Sequence, residues 1–258
     1  MSRPSPYGFL AADQPVGRVR MAQGLPMSGY PIGIIYIEDV WYPMLPGNVV
    51  NAGTFDFPVR LQPVRGLGVS GLIGENAVDV SPAVLAACQE LQDVGVRAIS
   101  SACGFFGRYQ QRVAAELEVP AALSSLVQLP WIQPLVPGRK IAVLTADAPS
   151  LDDELLAACG VTSTDHLVIG GLQDAPEFSA ILQGRGEFDH DLVRAEVVAA
   201  ARQLCADPEV GAVLLECSDM PPYAAAIQAA VGLPVFDFTT QIRWLHSAVA
   251  QLPYAGWI

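Results

Sequence analysis

Two stretches of this chain follow one plan, and that duplication limits the folds open to it. Within Val96 to Gln111, VRAISSACGFFGRYQQ, and Gly211 to Ala226, GAVLLECSDMPPYAAA, a shift of 114 residues places Cys103 on Cys217 and Tyr109 on Tyr223. The same shift puts Val119-Pro120 on Leu233-Pro234, so the register holds through the helical run that follows each cysteine. Each copy reads as a short apolar run, a cysteine, turn-forming residues and an amphipathic stretch, which is the pattern of strand, turn and helix.

That pattern puts each cysteine at the carboxyl end of a strand, where parallel sheets gather their ligands. In the second copy, Pro221 and Pro222 occupy a helix's first turn, with Ser218 or Asp219 as the expected cap and Gly232 just past the end. A helix N-terminus carries roughly half a positive charge, and such sites bring a cysteine pKa down to roughly 3.5–7.5. Pseudo-twofold symmetry would carry both strand ends to one cleft from opposite sides. Two thiols so placed suit proton removal from one face of a carbon and proton delivery to the other. A two-lobed anion-binding protein, with the cysteines as plain pocket lining, would carry the same pattern.

Composition narrows the classes. A net charge of −12 from 14 Lys and Arg against 26 Asp and Glu argues against nucleic-acid partners. The single lysine, Lys140, precedes an apolar strand instead of ending one, which disfavours a Schiff-base cofactor. Five cysteines without CxxC spacing give neither a disulfide framework nor a zinc site, and His166, His190 and His246 show no ligand spacing. No metal and no cofactor is expected. Cys88, Cys159 and Cys205 read as small apolar filler. A GxGxxG at Gly66 to Gly71 does not follow the first strand, so it is read as accidental. With no signal-peptide core and no run of 18 apolar residues, the expectation is a cytoplasmic protein with no membrane partner; a homo-oligomer is left open.

Along the chain, residues 1–31 read as an irregular arm. Ile32 to Asp39 and Lys140 to Asp147 read as equivalent first strands of the two halves. Residues 40–74 are broken by proline and glycine, with a second strand expected within Phe55 to Val64 and with Asn51, Thr54 and Arg60 able to reach a pocket. Helices are expected over Ser81 to Gly95, capped by its serine, and over Arg194 to Gly211. A strand ends at Ser124 and Ser125, its counterpart at Thr239 and Thr240, and a final helix over Ile242 to Gln251 packs back on the first half. The resulting division is a first domain over 32–127, to which 241–258 returns, and a second over 128–240.

The cysteine pair, its spacing and the ECSDMPPY context resemble the aspartate/glutamate/hydantoin racemase superfamily, over roughly Ile32 to Leu245. The resemblance implies an α/β fold of two pseudo-symmetric, doubly wound domains, each with a parallel sheet of about four strands, and an active site between them. It implies Cys103 and Cys217 as the acid/base pair, with Glu38, Gly104, Phe105, Thr145, Ser218 and Asp219 at positions that contact substrate. Gly104-Phe105 stands where amino-acid racemases have Asn-Thr, and Asp219 where glutamate racemases have histidine. Those departures remove donors for an amino-acid head group, add aromatic surface, and set Glu216 and Asp219 beside Cys217, where they raise its pKa. The implied activity is cofactor-independent racemisation or epimerisation of a carbon next to the carboxylate or carbonyl of a small substrate. An arylmalonate-type decarboxylase, a maleate-type cis-trans isomerase and a non-catalytic anion-binding protein are the alternatives.

Overall fold

A computed structural model describes residues 28–73 and 79–258. Most of the arm expected over 1–31 therefore lies outside the described residues. Among the described residues, eight strands form two four-stranded parallel sheets: β1 (Ile32–Asp39), β2 (Val59–Gly68), β3 (Ala98–Ser101) and β4 (Ala121–Ala122), then β5 (Lys140–Thr145), β6 (Leu167–Gly171), β7 (Val210–Leu215) and β8 (Val235–Phe236). The orders β2-β1-β3-β4 and β6-β5-β7-β8 are equivalent. This is an α/β fold of two doubly wound sheets. In both, the chain winds outward from the first strand, returns, and winds the other way, so the direction reverses between β1 and β3 and between β5 and β7. The crevice at such a switch point opens at the carboxyl ends of the strands.

The helices are α1 (Ser81–Asp93), α2 (Gln110–Glu116), α3 (Leu129–Ile132), α4 (Asp153–Ala158), α5 (Ser179–Gln183), α6 (His190–Leu204), α7 (Ala224–Val231) and α8 (Phe238–Val249). Among the described residues, none is long and apolar enough to cross a membrane.

Successive side chains of a strand point to opposite faces, and strands buried on both faces read as continuous apolar runs. Ile35 and Ile37 of β1, Ile141 and Val143 of β5, and Ala212 and Leu214 of β7 face one shared core, which α1 and α4 also enter through Leu91 and Leu155. The alternate residues Ala142, Leu144, Val213 and Leu215 pack against Val193 and Val197 of α6 and Ile227 of α7. Ile32, Ile34 and Ala98 pack against Phe238, Ile242 and Leu245 of α8, so the last helix covers the outer face of the first sheet.

Several ends differ from expectation for local reasons. Ser81 is the first residue of α1 and not its cap; its amide donates to Asp79 Oδ1 at 2.9 Å. Helix α6 starts at His190, four residues before the expected Arg194, because Asp189 accepts from the amides of Asp191 and Leu192. Helix α8 starts at Phe238, ahead of Ile242, because Asp237 and Thr240 form a reciprocal capping box. Strands β4 and β8 are two residues each, and Ser124 caps a 3-10 turn over Ser125–Gln128 in place of ending a longer strand. Gly66 and Gly68 lie within β2 and Gly71 ends a 3-10 turn, so the GxGxxG run is not a strand–turn–helix unit.

Candidate active site

Each cysteine lies two residues beyond the central strand of its sheet, Cys103 after β3 and Cys217 after β7. Both line one small cleft with about 30 Å³ of free space. The repeat thus delivers its matched cysteines to a common hollow, as the sequence register led us to expect. Gly104, Phe105, Ser218 and Asp219 line the same cleft. Thr145 lies fully buried outside the lining and reaches it through another side chain, its Oγ1 donating to Glu216 Oε2 at 2.8 Å. Glu38 is not at the site. It is exposed and accepts from the amide of Gly66 at 2.7 Å, because β1 stays paired with β2 as far as Asp39 and carries that side chain away.

The halves are fastened together around the cleft. Ser218 Oγ donates to the carbonyl of Ala102 at 2.8 Å, and Ser125 Oγ donates to the carbonyl of Leu215 at 2.9 Å. Neither Ser218 nor Asp219 caps the helix after Cys217. Pro221–Tyr223 form a 3-10 turn leading into α7, which ends at Gly232 with φ +69°, the left-handed geometry glycine adopts without strain.

Three site residues were not picked out as such in the sequence. Tyr42 and Asn48 belong to the irregular connection after β1, which crosses to the second half and donates to Asp219: Tyr42 Oη to Oδ2 at 3.1 Å, and Asn48 Nδ2 to Oδ1. Gly47, with φ +104°, lets this connection lie against Pro222, since a Cβ there would be 2.9 Å from the proline backbone. Asn51 and Thr54 serve the connection itself, donating to the carbonyls of Met44 and Asn48. The third residue, Glu216, is fully buried and lines the cleft; its counterpart in the repeat is Ala102.

The electrostatics reverse the acidification expected from the helix ends and agree with the upward push expected on Cys217 from Glu216 and Asp219. Burial pushes both Cys103 and Cys217 up, and the neighbouring carboxyls push further, Glu216 first for Cys103 and Asp219 first for Cys217. The nearby amides of Phe105 and Phe106 pull Cys103 down, and that of Asp219 pulls Cys217 down, without offsetting desolvation. Cys217 Sγ lies 3.6 Å from Asp219 Oδ2. The carboxyls are displaced as well. Burial raises Glu216 to about 7 against the bonds from Thr145 and Ala146, and raises Asp219 to about 6 against those from Tyr42, Cys217 and Asn48. The cleft therefore collects four groups held toward their protonated forms. Among the described residues, no group of three or more His, Cys, Asp or Glu side chains is placed to hold a metal ion.

No protein-family model matches the chain. It is 32% identical to dimethylsulfoniopropionate lyase 7 of Emiliania huxleyi over 240 residues, covering 88% of this chain and 70% of that one. It is 31% identical to the dimethylsulfoniopropionate lyase of Durusdinium sp. clade D, covering 80% of this chain and 70% of that protein. Among solved structures, allantoin racemase from Klebsiella pneumoniae matches with a TM-score of 0.57 at 15% identity, over 85% of this chain and 88% of the other. Arylmalonate decarboxylase matches at 0.53 and 17%, over 87% and 94%, and Picrophilus torridus aspartate racemase at 0.54 and 16%, over 86% and 91%. At these identities the structural likenesses establish the fold alone, one shared with these racemases and with arylmalonate decarboxylase. The sequence likeness is closer and extends through most of both chains: this chain belongs to the dimethylsulfoniopropionate lyase family.

Proposed function

We propose that the chain is a cofactor-independent lyase that cleaves dimethylsulfoniopropionate or a close sulfonium carboxylate by β-elimination. The racemisation drawn from the superfamily resemblance gives way to elimination because the relatives that match along most of the chain bear a lyase name, whereas the racemases match in fold alone. Both reactions begin alike, with a base taking the proton from the carbon next to a carboxylate. In elimination the C–H electron pair becomes the new C=C bond, the C–S bond breaks, its pair stays on sulfur, and dimethyl sulfide leaves with acrylate as the other product.

The observation that carries this reading is the chemistry of the cleft wall. Among the described residues lining it none is Lys or Arg, while two carboxyls, Glu216 and Asp219, two thiols and the rings of Tyr42 and Phe105 are present. Such a wall suits a compact cation with apolar substituents, since carboxylates supply the opposite charge and aromatic faces attract cations. A malonate would bring two negative charges to the same groups. A sulfonium also answers the electrostatic difficulty of the site: its positive charge offsets the two carboxyls and favours thiolate at the moment substrate is bound.

We assign the proton-abstracting role to Cys103. Two backbone amides, of Phe105 and Phe106, pull its thiol down, against one for Cys217, and Cys217 has the carboxyl of Asp219 3.6 Å from its sulfur. Cys217 rests as the protonated partner and, with Asp219, closes the opposite side of the cleft. The test is the product ratio. Incubation with dimethylsulfoniopropionate, followed by headspace gas chromatography and acrylate quantification, is expected to give equal amounts of the two products. Carbon dioxide from a disubstituted malonate, with no sulfide from the sulfonium substrate, would make the chain a decarboxylase instead.

A further inference from the structure

The least expected group in the cleft is the carboxyl of Glu216. Its side chain is fully buried, yet only one of its oxygens is provided for. Thr145 Oγ1 donates to Oε2 at 2.8 Å, and the Ala146 amide also bonds the carboxyl, but Oε1 is buried with no hydrogen-bond partner. That oxygen lies against the backbone of Gly104, the residue after Cys103; a Cβ on Gly104 would be 1.8 Å from it. A carboxylate shares its charge between two oxygens and both require donors, whereas a neutral acid has one oxygen that accepts and another that carries the proton. Donors gathered on one side with the other side bare leave less buried charge unpaired in the neutral acid than in the carboxylate. The ionisable groups that act on it or feel it are Asp147, Asp219, Cys103, Cys217 and Cys159, none of which is a cation.

We propose that Glu216 is a positioning residue that shares one proton with Cys103, so that the form of the cleft active in proton abstraction is a Cys103 thiolate beside a neutral Glu216. This rests on the assignment of Cys103 as the base. Thiol beside ionised Glu216 and thiolate beside neutral Glu216 differ by one proton moved from sulfur to a Glu216 oxygen: an S–H bond breaks, an O–H bond forms, and the pair keeps a single negative charge. Burial of two adjacent negative charges is thereby avoided. After turnover Cys103 holds the proton taken from substrate, and one proton leaves to solvent for each substrate cleaved.

The coupling has a signature in pH dependence. While Glu216 is neutral, the thiolate population rises about tenfold per pH unit. Once Glu216 ionises, thiolate beside neutral acid and thiol beside carboxylate become tautomers of equal charge, and their ratio no longer depends on pH. Reactivity of Cys103 should therefore rise with pH and flatten from about pH 7, where Glu216 titrates, although the thiol itself titrates far higher.

The experiment is the rate of Cys103 alkylation by iodoacetamide from pH 5 to 9 in Cys217→Ser protein, with and without Glu216→Gln. With Glu216 present the profile should flatten near pH 7. With glutamine, which is always neutral, it should keep rising about tenfold per unit. Any step from Asp219 near pH 6 is common to both proteins. A purely structural Glu216 would change the rate by one factor at every pH and leave the profile's shape alone, which overturns the proposal. Thr145→Val provides a second route should the glutamine variant fold poorly: losing that donor raises Glu216, so the flattening must move to higher pH, and an unmoved profile also overturns the proposal. Alkylation needs no substrate, so a failure of the lyase reading leaves this result interpretable.

Discussion

Gly104→Ala tests the closeness of the two halves at the site. The added Cβ would be 1.8 Å from Glu216 Oε1, 2.4 Å from Cδ and 2.6 Å from the backbone oxygen of the same residue, all far inside contact distance. Two of those atoms belong to a side chain that can move, but the third is backbone at the end of β7, so rotation of Glu216 alone cannot relieve the clash. Forcing one methyl into a packed interior costs about 1–3 kcal/mol. Displacing the glutamate also breaks its bond with Thr145 and leaves buried polar atoms unpaired, about 1–3 kcal/mol more. The sum is about 2–6 kcal/mol. For a chain of this size each kcal/mol lowers Tm by about 2–4 °C, so calorimetry should show a fall of at least about 4 °C. Adding Glu216→Ala should return part of the loss, because the clash with the backbone oxygen remains. A single variant that melts within about 1 °C of the parent would refute the packing argument, and with it the close approach of the first cysteine's turn to Glu216.

Two further outcomes follow from the same physics. Glu216 and Asp219 are raised by burial to about 7 and about 6, so the folded chain binds more protons than the unfolded one between about pH 4 and those values. Their contribution to stability is present in full below about pH 4 and is lost as pH rises through 6 and 7, on the order of 3 kcal/mol from each. Urea midpoints of the parent should accordingly fall relative to those of Glu216→Gln between pH 5 and 8, and parallel curves would contradict this. Asp237→Ala removes the acceptor of the Thr240 amide and the Thr239 hydroxyl at the start of α8, and should cost about 1–2 kcal/mol in denaturant titration.

The parts of this molecule that the chain spells out locally are those with a period or a repeat. Ile32 to Asp39 alternates between two buried faces and is a strand over that span; the shift of 114 residues carries Cys103 and Cys217 to matching places beyond β3 and β7. Tyr42 and Asn48 escaped because they stand in an aperiodic connection, and their partner Asp219 is 177 and 171 residues away. Proline and glycine mark such a segment as irregular without saying where it crosses. Glu38 was misplaced because counting along a strand gives the face of a side chain but not where the strand's last pairings lead it. A helix end and the carboxyls beside Cys217 are visible in sequence, whereas the burial that pushes both thiols up most exists only once the second half folds over them. Glu216 stood in plain view beside Cys217, yet its bare oxygen and its contact with Gly104 exist only once the halves meet.

In the proposed reaction a thiolate at residue 103 removes the proton that allows the carbon–sulfur bond to break. Dimethyl sulfide evolution from dimethylsulfoniopropionate, measured for the parent and for Cys103→Ala at equal protein concentration with matched melting curves, tests it most directly. Loss of a positioned base should slow release by about 10²–10⁴-fold. Release at the parent's rate from the alanine variant would rule out Cys103 as the base.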